Sequence, residues 1–171
     1  MIELRNVTKK YGKKVILDDI SLSFEKGKIT CLLGLNGVGK STTMKSIMGL
    51  IPINKGEILL EGKPVSRKNI DQIAFLADIP THDLNWTVEE NLKMAQVYFD
   101  SFDMAKAERM VEFFKQKKEK RLKELSKGNL ARFNIIVGLS QNAPYVLMDE
   151  PFSGIDIFSR EDFIASLKSD F

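Results

Sequence analysis

The sequence has little of what marks secreted or membrane-spanning proteins: one cysteine among 171 residues and no long apolar run. The lone thiol, Cys31, excludes a disulfide within the chain and fits a reducing compartment. We expect it to be a small buried core residue. No stretch approaches the ~18 apolar residues that a membrane span needs, and the first ten residues lack the apolar segment of a signal peptide. We therefore expect a cytoplasmic chain that reaches any membrane only through a partner.

The sequence also lacks a large surplus of charge of either sign, because 26 basic residues nearly balance 23 acidic ones and the net charge is +3. Nucleic-acid binding usually shows a clustered basic surplus, so no nucleic-acid partner is expected. The densest basic run, residues 115–123, is more typical of a solvated face. The hydrophobic fraction of 43% is ordinary for a soluble domain, and the length fits one domain with a sizeable core.

The first half of the chain contains the patterns of strands. Residues 2–24 read as strands, and 20–24 alternate apolar and polar side chains as a half-buried strand does. Residues 29–33 form a continuous apolar run, which predicts a strand covered on both faces. A hairpin is predicted to turn at Glu61 and Gly62, and a further short strand at 73–76.

Helical patterns dominate the second half. Thr87 and Glu90 have the spacing of a capping box, and residues 104–114 show an amphipathic face. A helix is predicted to follow Ser126, and residues 145–148 are predicted to form another buried strand. Ser159 is expected to cap a last helix. The order of strands and helices suggests an α/β core that carries a helical lobe.

Between the apolar run at 29–33 and a predicted helix lies the stretch GLNGVGKST, which satisfies the P-loop pattern GxxxxGK[ST]. Glycines let backbone N–H groups approach phosphate oxygens closely, and the helix that follows adds its positive dipole end. Lys40 places a charge on the outer phosphates, and the Ser41 hydroxyl can ligate Mg²⁺. The residues expected to bind phosphate are Gly34, Leu35, Asn36, Gly37, Val38, Gly39, Lys40, Ser41 and Thr42.

The stretch YVLMDEP supplies two carboxylates at the end of a predicted buried strand. Asp149 emerges at the carboxyl edge, where open α/β sheets bind ligands, and can hold the Mg²⁺ water shell. Glu150, the next residue, can orient or deprotonate an attacking water as a general base. An apolar run followed by Asp-Glu is weak alone, but it is convincing together with the glycine loop.

The stretch LSKGN, residues 125–129, places Ser126 and Gly128 at a predicted helix N-terminus. The stretch lies between the two preceding motifs, and the arrangement of the three motifs resembles that of the ATP-binding cassette (ABC) ATPase family, whose signature is LSGGQ. Lys127 and Asn129 replace the family's glycine and glutamine. The LSKG variant is similar to that of cassettes that serve exporters.

The resemblance covers essentially the whole chain and implies a P-loop NTPase fold. The implied fold has a RecA-like core, an N-terminal antiparallel β-subdomain and a helical subdomain. The implied division is 1–77 with 133–171 for the core and β-subdomain, and 78–132 for the helical subdomain. Tyr11 falls where the family stacks an aromatic ring on adenine. Asp78 falls where the family usually has a glutamine that contacts Mg²⁺, a departure that puts this contact in doubt.

The resemblance also implies partners. Two cassettes, identical or different, pair head to tail, so Ser126 and Gly128 would act on the partner's ATP, and residues 153–156 match the loop that crosses to the partner cassette. The implied function is an ATPase subunit that couples MgATP hydrolysis to transport, with a lean to export. Permease subunits are expected to hold such an ATPase subunit at the cytoplasmic face of the membrane. The alternatives are a non-transport cassette, disfavoured because only 86 residues separate Lys40 from Ser126, and a regulatory module that holds ATP without efficient turnover.

The family's switch histidine has no counterpart in this sequence. The single histidine, His82, precedes the helical lobe and is expected to be an ordinary surface loop residue. The simplest interpretation is that the C-terminal part of the domain is absent, and the 171-residue chain is expected to be weakly active or inactive.

Overall fold

The computed structural model describes residues 1–77 and 82–151, which fold into two compact units. The first unit is Met1–Ile73 and the second is Ala74–Phe171, described as far as residue 151. The first unit contains an antiparallel sheet and a helix, and the second contains helices and a pair of short strands. The mixture of helix and strand that the sequence predicted is therefore present.

The sheet of the first unit has the spatial order β2-β1-β3-β4, and each neighbouring pair is antiparallel. The strands are β1 (Ile2–Tyr11), β2 (Lys14–Phe24), β3 (Lys55–Leu60) and β4 (Lys63–Pro64). Apolar side chains of β1 and β3 fill its core: Ile2, Leu4, Val7, Ile58 and Leu60 are each at most 9% exposed. The strands predicted at 2–24 are confirmed.

The hairpin predicted at Glu61 and Gly62 joins β3 to β4. Both residues have positive φ, 50° and 73°. This is the backbone of a two-residue turn whose twist matches that of the flanking strands. Leu60 and Lys63 therefore pair directly across the turn.

Helix α1 (Lys40–Ile47) begins directly after the glycine loop. Ile47 is fully buried and Thr43 is 4% exposed, so these two residues lie on the packed face of the helix. Leu50 is 62% exposed because the helix has already ended. Gly49, with φ of 65°, follows the last turn, as expected for a helix stop.

The strand predicted at residues 29–33 is wrong for the described structure. This segment belongs to neither sheet, and Ile29 and Leu33 are 68% and 88% exposed. A buried strand requires ladder partners on its edges, and an apolar run specifies no partner. For the same reason Cys31 is exposed, which corrects the expectation of a buried core residue.

The second unit contains helices α2 (Val88–Tyr98), α3 (Met104–Phe113) and α4 (Lys127–Ser140). Strand β5 (Ile73–Leu76) begins at the last residue of the first unit and pairs with β6 (Tyr145–Met148). Both strands were predicted from their apolar runs.

Local sequence signals set where these helices begin. Thr87 accepts a hydrogen bond from the amide of Glu90 at 3.1 Å, and the Glu90 carboxylate accepts one from the Thr87 amide at 2.7 Å. This is the predicted capping box. The core beneath the helices includes Leu92, Val111 and Phe133, each at most 2% exposed.

The division into a core and a helical subdomain at residues 78–132 stays a prediction. Helix α4 runs without a break across residues 132 and 133. The predicted last helix, with its cap at Ser159, lies outside the described residues.

Candidate functional site

The glycine loop, residues 34–39, leads into α1; residues 34–38 are exposed and Gly39 is buried. Gly37 and Gly39 have φ of 84° and 106°, a region that L side chains rarely adopt. A Cβ on Gly39 would lie 2.8 Å from Leu17 Cδ2 and 3.2 Å from the carbonyl oxygen of Ile16. Glycine is therefore required here both by the backbone and by the close approach of β2. The loop sits against the antiparallel sheet at this point.

Lys40, the first residue of α1, folds back over the loop. Its Nζ donates hydrogen bonds to the carbonyl oxygens of Gly34 at 2.8 Å and Leu35 at 3.0 Å. The predicted cation of the cradle is thus held by the backbone of the loop itself. A phosphate in the loop would offer this ammonium charged acceptors, which are stronger than carbonyls.

The N-terminal end of α1 favours an anion. Its N-cap residue, Gly39, provides no side-chain cap, and its first turn carries no acidic residue. The Thr43 hydroxyl donates to the Gly39 carbonyl at 2.9 Å and so closes the first turn. Ser41 and Thr42 lie half-buried in this turn. The first amide groups of a helix lack partners within the helix, and together with the dipole they suit a phosphate at this end.

Tyr11 is the last residue of β1 and is 51% exposed. Sequence reasoning missed a neighbour of this ring: Lys9 Nζ lies 4.6 Å from the ring centroid. Lys9 is only 6% exposed, which is uncommon for a lysine. Its place two residues before Tyr11 in a strand is the one sequence signal that puts both side chains on a common face.

The acidic pair of the second unit follows β6. Asp149 is 6% exposed, and its amide donates a hydrogen bond to the carbonyl of Leu76 at 2.9 Å. This bond ties the end of β6 to the end of β5. Glu150 is exposed and has φ of 49°, a left-handed conformation that costs a glutamate about 1 kcal/mol and is often found at functional sites.

A cavity of about 210 Å³ opens beside the acidic pair. Its lining includes residues from the end of β5, from α4 and from the acidic pair: Leu76, Ala77, Lys127, Asn134, Asp149 and Glu150. A water molecule takes about 30 Å³, so this space admits several waters next to the Glu150 carboxylate.

The signature stretch begins α4 as predicted. Ser126 is the N-cap and accepts a hydrogen bond from the amide of Asn129 at 3.3 Å. Asn129, at the family's glutamine position, is held inside the unit, because its Oδ1 accepts from Gln116 Nε2 and from Arg132 Nη1 at 3.4 and 3.2 Å. Gly128 lies half-buried in the first turn.

His82 corrects another expectation. It is half-buried, with its ring edge-on to Phe133 at 5.1 Å between centroids. Burial lowers the pKa of His82 to about 4. It is therefore a packing residue of the second unit and not an ordinary surface loop residue. Asp78 and residues 153–156 lie outside the described residues.

The described residues set two further limits. No group of three or more histidine, cysteine, aspartate or glutamate side chains within 1–77 and 82–151 could hold a metal ion. No helix in that part of the chain combines the length and the apolar character needed to cross a lipid bilayer.

The profile of the ABC transporter family matches residues 17–153. The lantibiotic transport ATP-binding protein SrtF of Streptococcus pyogenes is 30% identical, over 99% of this chain and 76% of SrtF. The Nod factor export ATP-binding protein I of Burkholderia orbicola is 34% identical, over 98% of this chain and 58% of that protein. The petrobactin import ATP-binding protein YclP of Bacillus subtilis is 28% identical, over 98% and 71%. Relatives with both directions of transport are thus similar to this chain.

The fold is also similar to that of a solved bacterial ABC transporter cassette, MJ0796, which was determined as a dimer. The TM-score is 0.85 at 23% identity, over 98% of this chain and 82% of that chain. The predicted fold class, a P-loop cassette with an antiparallel N-terminal sheet, is confirmed by this similarity.

Proposed function

The chain belongs to the ABC transporter family as an ATP-binding subunit, and from this premise we propose that it binds MgATP and hydrolyses it to drive transport. One observation carries the proposal. The loop 34–39 leads into an uncapped helix N-terminus, and the Lys40 ammonium is held over that loop by the carbonyls of Gly34 and Leu35. Cation, backbone amides and dipole all favour a polyphosphate.

The donor set fits Mg²⁺. This ion prefers oxygen ligands, and in nucleotide sites it takes one or two of them from the protein and others from phosphates and water. The proposed ligands are the Ser41 hydroxyl and the Asp149 carboxylate, with Asp78 a further candidate. Bound Mg²⁺ would neutralise charge on the outer phosphates. Lys40 contributes to the same effect, and Tyr11 is proposed to stack on the adenine.

Glu150 is the proposed general base. Its carboxylate is exposed, lies beside a cavity that admits water, and is set by a left-handed backbone. Its role is to orient a water and to accept its proton. The neighbouring residue Asp149 is buried, and its amide donates to the Leu76 carbonyl. This bond holds the backbone from which the Glu150 side chain extends.

The proposed partners are a second cassette and transmembrane permease subunits, which would place the chain at the cytoplasmic face of the membrane. MJ0796, with the same fold, was solved as a dimer. In a head-to-tail dimer of this chain, Ser126 and Gly128 would meet the partner's ATP. The proposed direction is export, supported by Lys127 in the LSKG signature and by the Nod factor relative. Transport by permease and cassette in vesicles, with ATP on the cassette side, tests the direction.

The experiment that tests turnover compares Glu150→Gln with the wild type and with Glu119→Gln, an exposed glutamate of the same unit as the control. Glu150→Gln is expected to bind MgATP but to lose hydrolysis by roughly 10²-fold or more, and to form a dimer on MgATP because closure persists without turnover. Glu119→Gln is expected to match the wild type. Wild-type turnover in Glu150→Gln, or a Glu150→Gln protein that stays monomeric at saturating MgATP, would contradict the proposal.

A further inference from the structure

Lys9 is a buried cation that the proposed mechanism does not use. It lies in β1 with 6% of its surface exposed. Its Nζ donates a hydrogen bond of 2.6 Å to the carbonyl oxygen of Pro52 and lies 4.6 Å from the centroid of the Tyr11 ring. An ammonium is costly to bury unless it has partners, and these two contacts are such partners.

The segment that Lys9 contacts joins α1 to β3, because Pro52 lies between Ile47 and Lys55. Two further hydrogen bonds hold this segment to β1. Asn54 donates its amide to the Thr8 carbonyl at 2.8 Å and accepts from the Lys10 amide at 2.7 Å through Oδ1. Lys9 is thus the side chain that joins the Tyr11 ring to the segment that follows the phosphate-loop helix.

The Tyr11 ring contacts the Lys9 ammonium and remains half exposed. The face toward Lys9 is covered by a buried ammonium, yet 51% of the residue remains exposed. An aromatic ring fixed on one face and open elsewhere is a platform on which a purine base can stack. Without a contact on its inner face, the ring at the tip of a hairpin would sample several rotamers, and base binding would have to restrict them.

We propose that Lys9 is a positioning residue for nucleotide binding, which holds the Tyr11 ring at a fixed place relative to the helix of the phosphate loop. This inference rests on the proposed function, in which Tyr11 stacks on the adenine. Lys9 does not touch the nucleotide. It acts on the base through Tyr11, so its removal affects ligands with a base and spares ligands that are phosphate alone.

The test is isothermal titration with two probes, MgATP and magnesium tripolyphosphate, which carries phosphates but no base. Lys9→Met keeps the apolar stem and removes the charge, and Lys10→Met changes the exposed neighbour as the control. We expect Lys9→Met to weaken MgATP binding about fivefold, the scale of one cation–π contact, with tripolyphosphate binding unchanged within about twofold. Lys10→Met should change neither affinity. Equal losses for both probes, or no loss for MgATP, would overturn the inference.

Two further variants separate the possible failures. Lys9→Gln keeps a donor for the Pro52 carbonyl and so protects folding, and it should show the same selective loss. Tyr11→Ala should also weaken MgATP alone, and Lys9→Met added to it should cause no further loss, because one contact cannot be removed twice. If the losses of MgATP affinity from the two substitutions add in the double variant, the inference about Lys9 is overturned and the proposed function is not affected. A Tyr11→Ala protein with unchanged MgATP affinity would instead show that the stacking role in the proposed function is wrong.

Discussion

The imidazole of His82 lies edge-on against the ring of Phe133, with 5.1 Å between the ring centroids. Phe133 is fully buried in α4, the helix that Ser126 caps. The contact therefore joins the segment before α2 to the middle of the signature helix. Burial lowers the pKa of His82 to about 4, so the ring is neutral when it packs there.

This contact predicts a pH-dependent stability. The unfolded chain has a histidine pKa of about 6.5, so between pH 6.5 and 4 the unfolded state binds more protons. The stability from neutral His82 is fully present above pH 6.5 and is lost as the pH falls toward 4. We expect this group alone to lower the free energy of unfolding by about 2 kcal/mol from pH 7 to pH 5. Urea unfolding of the wild type and of His82→Phe at both pH values measures it. The same pH dependence in both proteins would contradict the prediction.

The surroundings of Gly138 in α4 predict that Gly138→Ala lowers stability, which is the opposite of what helix propensity predicts. Glycine to alanine in a helix normally stabilises by about 1 kcal/mol. A Cβ on Gly138, however, would collide with the Leu76 side chain, 2.6 Å from its Cγ. We expect Gly138→Ala to destabilise by about 1–3 kcal/mol, and Leu76→Ala to cost less in that background than alone. Urea unfolding of the double-mutant cycle measures the coupling. A stabilised Gly138→Ala protein would show that the contact is not tight.

Ser126 predicts a separation of stability from assembly. Its side chain accepts from the Asn129 amide, so Ser126→Ala should cost about 1 kcal/mol in thermal unfolding. Ser126→Asp keeps a cap and should retain that stability. Its negative charge would repel the partner's ATP, so in a Glu150→Gln background we expect it to abolish the MgATP-dependent dimer in size-exclusion chromatography. A dimer as strong as that of Glu150→Gln alone would argue against the role of Ser126 across the interface.

Features of the fold that depend on neighbours in sequence could be predicted. The turn at Glu61 and Gly62, the capping box of α2 and the N-cap at Ser126 each follow from residues within four positions of one another. The two short apolar strands 73–76 and 145–148 were also predicted, since their runs have strand length and turn signals around them.

Features of the fold that depend on residues far apart in the sequence could not be predicted. Residues 29–33 have the composition of a buried strand, but no local pattern names the strand that would pair with them. His82 packs on a residue 51 positions away, and Lys9 bonds to one 43 positions away. The sequence motifs predicted that the glycine loop precedes α1, that the acidic pair follows β6 and that Ser126 caps α4. The binding roles of these residues stay predictions. The buried lysine behind Tyr11 was not, because composition places lysines at the surface.

The most direct test of the central claim, that loop 34–41 is a phosphate cradle, is the MgATP affinity of Lys40→Ala measured by isothermal titration. Lys45→Ala is the matched control, an exposed lysine in the last turn of the same helix. Lys40 donates to the Gly34 and Leu35 carbonyls and would exchange them for phosphate oxygens, so its removal should weaken binding by about 10-fold or more. Lys45→Ala should bind as the wild type does. A Lys40→Ala affinity within about threefold of the wild type, less than about 1 kcal/mol, would contradict the phosphate cradle.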